Sequence, residues 1–215
     1  MKKNLKKVIA IAVIFACLCS IKTVYAHEMY YDSNGNGIVL KWGNLQNGVP
    51  YLTINGDYLS SDYSSFLSSV IQAWPSASSK VEATAESFLD SKVDFCTPTT
   101  EYWVDRFEYE IYSYGGVTDI KNSTGIYIDT AAEAEYSSRS IVYAQIFMNP
   151  YSFIFPNDTD KEKTMVHELG HVLCLGHPDY IYDVLPDNVT SIMRRGSLGY
   201  KTPQSHDITD LSNKY

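Results

Sequence analysis

The chain has 215 residues, with 17 basic and 25 acidic side chains and a formal net charge of −8 at neutral pH. This length allows one domain with a substantial hydrophobic core, or two very small ones. An acidic surface repels nucleic acids and anionic membranes, so we expect neither as a partner.

Residues 1–26 have the pattern of a secretory signal peptide. Four lysines form a basic start, residues 8–18 are apolar, and Val24 and Ala26 offer small residues for cleavage. The apolar run is short for a membrane span, although an uncleaved anchor is the alternative. We therefore expect a secreted mature domain at residues 27–215, without stable membrane insertion. It would keep 12 basic and 25 acidic side chains, a formal net charge of −13.

The mature chain retains two cysteines, Cys96 and Cys174. In an oxidising compartment they could form one disulfide, and two separate buried thiols are the alternative. The sequence does not decide between these two. We expect a monomer.

Residues 32–37 begin like a calcium-binding loop, with oxygen-bearing side chains at alternate positions and a glycine at position six. Position twelve, which should be a bidentate glutamate, is Gly43. No complete motif supports Ca²⁺ here, and a glycine-rich turn before a strand at 38–42 is favoured. Residues 55–57 predict another turn.

Apolar residues recur at helical spacing over residues 62–74, which predicts a long helix that Pro75 stops. Further strands are predicted at residues 81–84, 93–97, 107–112 and 125–130. The clearest strand is 141–149, where Val142, Ala144 and Ile146 alternate onto one face. Whether this strand or an earlier one forms the sheet edge stays open.

Residues 160–173 are predicted to form a helix, with Thr159 as its N-cap and Glu162 reaching back in a capping box. His167 and His171 are four residues apart and therefore share one face of this helix. Two imidazoles on one face can bind a single Zn²⁺, and His177 is the obvious third ligand once the chain turns back.

Glu168 lies about 100° around the helix from His167, which is too close for it to share the metal yet near a zinc-bound water. Zinc lowers the pKa of water from 15.7 to about 7, and a neighbouring carboxylate can take its proton as it attacks a carbonyl. The sequence therefore predicts Glu168 as the general base of a hydrolase that needs no serine or cysteine nucleophile.

The pattern HExxHxxxxxH at residues 167–177, followed by Ser191, Ile192 and Met193, resembles the metzincin clan of zinc endopeptidases, most closely its matrixin branch. The resemblance covers about thirty residues. It implies one catalytic zinc on the three histidines, base Glu168, and Met193 in a tight turn beneath the metal.

The resemblance also implies an α/β (α+β) fold. A mixed twisted sheet would be backed by a long helix and the zinc-binding helix, with a small C-terminal subdomain that holds the methionine turn and a terminal helix. Metzincins place glycine where this chain has Cys174, because the helix ends there in a turn that favours positive φ. Either Gly176 takes over that turn, or a bond to Cys96 stabilises the strained Cys174.

We therefore expect a zinc-dependent endopeptidase that hydrolyses extended protein or peptide substrates. The alternative is a non-catalytic extracellular zinc-containing binding protein on the same fold. A zinc hydrolase acting on a non-peptide amide is a third reading, for which the sequence offers no positive sign.

Overall fold

The computed structural model describes residues 28–108, 112–136, 138–178 and 189–215. The predicted signal peptide at 1–26 lies outside these residues. Within them the chain forms ten strands: β1 Tyr30–Tyr31, β2 Gly37–Ile38, β3 Lys41–Trp42, β4 Leu45–Gln46, β5 Val49–Tyr58, β6 Glu82–Ala85, β7 Val93–Cys96, β8 Gly116–Asn122, β9 Tyr127–Ile128 and β10 Ser140–Met148. The helices are α1 Ser61–Ser64, α2 Leu67–Ala77, α3 Thr100–Phe107, α4 Ala131–Tyr136, α5 Asp158–Val172 and α6 Ser205–Lys214.

Eight of these strands form one mixed sheet, in which β4, β5, β7, β10, β8 and β9 follow one another, while β3 pairs with β10 and β6 with β5. The predicted strand at 141–149 is confirmed as β10. It lies inside the sheet, parallel to β7 on one side and antiparallel to β8 on the other. It is therefore not the edge strand.

Two local predictions are wrong. Residues 55–57 belong to the ten-residue strand β5, where Gly56 leaves room for helix α2, because a Cβ there would lie 2.4 Å from Leu67 Cδ2. The strand predicted at 107–112 starts on the last residue of helix α3, and residues 109–111 lie outside the described ranges. Thr99 caps α3 by accepting from Tyr102 N–H at 3.2 Å.

The predicted helix at 62–74 appears as the short α1 followed by α2, which continues past Pro75 to Ala77. Proline loses one backbone hydrogen bond but lies in the last turn, where the fully buried Trp74 holds the helix in place. The Trp74 indole N–H donates to Val166 O at 3.0 Å and so joins α2 to α5.

Helix α5 is capped by Asn157, whose side chain accepts from Asp160 N–H at 3.0 Å. The predicted cap Thr159 lies inside the first turn instead. The terminal helix α6 is capped by Gln204, which forms a capping box with Asp207. A mixed sheet with these helices is compatible with the metzincin-like fold expected from the sequence.

Both cysteines are free thiols, so the disulfide alternative is not realised. In the described part of the chain, every helix is too short or too polar to cross a lipid bilayer.

Candidate metal centre

The last two turns of α5 present His167 and His171, and the chain then reverses to bring in His177. The reversal is a Schellman turn: the N–H of Cys174 donates to His171 O at 2.8 Å, and the N–H of Leu175 donates to Gly170 O at 3.0 Å. Cys174 has φ +60°, the left-handed conformation that the resemblance implies for this position and one of the two alternatives left open above. Gly176 does not take over the turn.

The Nε2 atoms of the three histidines converge. His177 Nε2 lies 2.9 Å from His167 Nε2 and 3.1 Å from His171 Nε2. Tetrahedral zinc with Zn–N bonds of 2.0–2.1 Å separates its ligand atoms by about 3.3 Å, so a small outward movement would fit the ion. A metal site needs several His, Cys, Asp or Glu side chains close together, and among the described residues these three histidines form such a group.

Two of the rings are oriented by backbone carbonyl groups. His167 Nδ1 lies 2.8 Å from Ile192 O, and His171 Nδ1 lies 2.8 Å from Leu175 O. Since a carbonyl only accepts, each Nδ1 carries the hydrogen, and each Nε2 keeps its lone pair for a metal. This is the usual arrangement of metal-binding histidines, in which the second nitrogen is fixed by an acceptor.

The histidine cluster favours neutral rings. Burial lowers the pKa of His167 well below its ordinary value and that of His171 to about 4. Burial also lowers the pKa of His177, helped by the positive charge of Arg195, whose Nε lies 3.4 Å from His177 Nδ1. Neutral imidazole is the form that binds zinc, so the environment suits the metal.

Glu168 lies on the side of α5 that faces strand β8. It is 4% exposed, and Thr118 Oγ1 donates to its Oε2 at 2.6 Å. Burial raises the pKa of Glu168 to about 7, against the hydrogen bond from Thr118 and the charge of Lys163, which lower it. A carboxylate that titrates near neutral pH can both take up and release a proton at physiological pH.

The turn at residues 191–193 lies against the ligand helix. A Cβ on Gly170 would come within 2.2 Å of Met193 Sδ, so the glycine permits close packing of the methionine on α5. Met193 is 2% exposed, and its thioether packs against α5. The same turn supplies Ile192 O, the acceptor for His167.

Asp207, in the first turn of α6, holds this turn in place. Its carboxylate accepts from Ser191 Oγ at 2.5 Å, from Ile192 N–H at 2.8 Å and from Gln204 N–H at 2.7 Å. Burial raises its pKa, while these hydrogen bonds act in the opposite direction. The terminal helix therefore reaches the metal centre through Asp207, Ile192 and His167.

Strand β8 has an open edge beside Glu168. It pairs with β10 along its length, but with β9 only at Ile120 and Lys121. Among the described residues, no strand pairs with the outer edge of residues 116–119. A Cβ on Gly116 would lie 2.9 Å from Glu168 Cγ, so this edge and the carboxylate are in direct contact.

Sequence reasoning missed Thr118, Asp207 and Glu28, the last of which contacts the turn after α5. None of them belongs to a motif, and only the folded chain brings them to the site.

The calcium-like loop is a turn, as favoured: the Asp32 carboxylate accepts from the backbone N–H groups of Asn34 and Asn36, each at 2.8 Å. His206 lies outside the metal cluster, 3.6 Å from Asp210.

Comparison with known proteins gives weak similarity to solved structures and none to families or curated proteins. No protein-family profile and no curated protein matches the sequence. Among solved structures, that of Myroilysin covers 91% of this chain and 92% of its own, with a TM-score of 0.45 and 13% sequence identity.

Proposed function

We propose that the chain is a secreted, zinc-dependent endopeptidase of metzincin type. The observation that carries the proposal is the convergence of the Nε2 atoms of His167, His171 and His177 beside a buried glutamate of near-neutral pKa. These histidines would hold the metal, and Glu168 would be the general base.

Zinc bound by His167, His171 and His177 would be a Lewis acid that polarises the substrate carbonyl and lowers the pKa of water. Glu168 takes a proton from the attacking water on its carboxylate and delivers it to the leaving amine. The hydroxyl of Thr118 holds that carboxylate in place, and burial keeps its pKa close to neutral. Proton transfer of this kind contributes typically 10²–10⁴-fold to rate.

The open edge of β8 supports an extended peptide as the substrate. The outer edge of residues 116–119, which no strand of the described part of the chain covers, could pair with a substrate strand lying directly beside Glu168. Backbone pairing recognises a substrate by its extended conformation and depends little on the identity of its side chains. We therefore expect unfolded proteins to be cleaved and rigid folded domains to resist cleavage.

The proposal is tested by measuring zinc content and casein cleavage on the same purified protein. We expect one zinc per chain, loss of cleavage with a chelator, and recovery when zinc is restored. His171→Ala should lose both zinc and cleavage, whereas His206→Ala, outside the cluster, should keep both.

Zinc bound at one per chain with no cleavage of any unfolded protein would instead favour the non-catalytic binding protein. Zinc retained in full by His171→Ala would contradict the ligand set.

Secretion is a separate part of the proposal and rests on the composition of residues 1–26. Mass spectrometry of the exported protein should find His27 at its N-terminus. Detection of an intact, membrane-held chain would show an uncleaved anchor instead.

A further inference from the structure

Glu28, in the N-terminal segment, lies against the turn between His171 and His177. Glu28 forms an antiparallel bridge with Leu175. Gly176 follows, and a Cβ there would come within 2.1 Å of Glu28 O, so any larger residue must displace one of the two segments. Leu175 and Gly176, next to the histidine cluster, are thus in direct contact with the N-terminal segment.

The side chain of Glu28 holds this segment to the terminal helix. It forms an ion pair with Lys214, whose side chain is completely buried, and Lys214 also donates to Leu40 O at 3.1 Å. A buried charge left without its partner is strongly unfavourable, so each member of such a pair holds the other in place. The pair therefore fixes where the backbone of Glu28 lies.

The turn that Glu28 contacts controls two of the three histidines. Leu175 O accepts from His171 Nδ1 and orients that ring, and His177 follows Gly176 directly. The other side of the turn is held by Tyr215, whose hydroxyl donates to Leu173 O at 3.2 Å. A displacement of Leu175 would therefore move the acceptor of one ring and the backbone of the other.

We infer that Glu28 is a positioning residue for the metal centre: paired with Lys214, it holds residues 175–176 so that His171 and His177 face one ion. The inference rests on the metal site of the proposed function, and it is independent of whether the site cleaves peptides. If cleavage follows Ala26, as the sequence predicts, Glu28 is the second residue of the mature chain. The N-terminal segment is then part of the metal centre.

If the ion pair between Glu28 and Lys214 only stabilised the fold, a different result would be expected. Loss of such a pair would lower the free energy of unfolding and leave the zinc affinity of the folded protein unchanged. Removal of groups that orient metal ligands typically costs 10–100-fold in metal affinity. Zinc affinity therefore separates positioning from stability.

The experiment measures the zinc affinity of the folded mature protein by competition with a chromogenic chelator. Glu28→Gln keeps the size of the side chain and removes its charge, whereas Gly176→Ala keeps both charged side chains and crowds the backbone contact. We expect each variant to bind zinc at least tenfold more weakly than the wild type. Leu52→Ala, which opens a cavity in strand β5, is the matched control and should change zinc affinity less than twofold.

Zinc affinity within twofold of the wild type in both Glu28→Gln and Gly176→Ala would overturn the inference. So would a loss in Leu52→Ala as large as that in Glu28→Gln, since global destabilisation would then explain both. A wild-type protein that binds zinc but cleaves nothing would contradict the proposed peptidase and leave the affinity comparison decisive for Glu28. A wild-type protein without zinc would overturn both.

Discussion

Cys174 shows how a single residue can carry strain next to the ligands. Its φ of +60° belongs to the C′ position of a Schellman turn, which glycine normally occupies. No disulfide relieves the strain, since both cysteines are free. The turn persists because two hydrogen bonds hold Leu175 in place. Its N–H donates to Gly170 O, and its carbonyl oxygen accepts from His171 Nδ1.

Cys174→Gly should therefore stabilise the protein. Glycine adopts the left-handed conformation without strain, which stabilises the folded state. This exceeds the cost of the greater conformational freedom of glycine in the unfolded chain, so the free energy of unfolding rises by roughly 0.5–1 kcal/mol. Cys174→Ala keeps the strain and removes only the thiol, so it should give no gain. Thermal unfolding of the three proteins measures the difference, and equal melting temperatures for the glycine and alanine variants would show that Cys174 is not strained.

Helix α5 illustrates which parts of an element the sequence can predict. The apolar and histidine spacing predicted residues 160–173, and the helix runs over Asp158–Val172. The start was misplaced because Asn157 and Thr159 can both act as caps, and the choice depends on how the chain enters from residues 152–156. Strand β5 was missed because Asn55 and Gly56 favour a turn locally, whereas packing against Leu67 determines the outcome.

Asn157→Ala should destabilise the protein by about 1 kcal/mol, because the N–H of Asp160 loses its acceptor at the start of α5. Thr159→Ala, two residues away and exposed, should lie within about 0.5 kcal/mol of the wild type. Urea unfolding of the two variants tests the assignment. A larger loss in Thr159→Ala would favour the cap predicted from the sequence.

At the scale of the whole molecule, the candidate metal centre is built from parts far apart in the chain. The motif at 167–177 identified the three histidines and Glu168, since helical spacing alone brings most of them together. Thr118, Asp207 and Glu28 come from β8, α6 and the N-terminal segment, and their approach depends on the sheet order and on the packing of α6. No local pattern encodes those distances, so sequence reasoning could not find them.

Burial of the histidines makes the stability of the metal-free protein depend on pH. The pKa of His171 falls to about 4 in the folded protein, so the unfolded chain binds a proton first as the pH drops below about 6.5. The free energy of unfolding therefore falls between pH 6.5 and 4. Glu168 has its pKa raised to about 7, so the folded protein binds this proton first, and the free energy of unfolding gains from Glu168 as the pH falls from 7 to 4.5. This one group opposes the three histidines.

Comparison with His171→Ala isolates this contribution. Between pH 7 and pH 5, the wild type should lose roughly 1–2 kcal/mol more of its free energy of unfolding than the variant does. Denaturant unfolding of both proteins without metal measures the two slopes, and His206→Ala provides the control. Equal pH dependence in the wild type and His171→Ala would show that His171 is not buried as a neutral ring.

The central claim is that Glu168 acts on the attacking water while the three histidines hold the metal. It is tested most directly by measuring zinc content and casein cleavage together in Glu168→Gln, with Glu101→Gln on the exposed surface of α3 as the control. We predict one zinc per chain in both variants and a loss of cleavage of at least about 100-fold in Glu168→Gln alone. Cleavage at the wild-type rate by zinc-loaded Glu168→Gln would contradict the account.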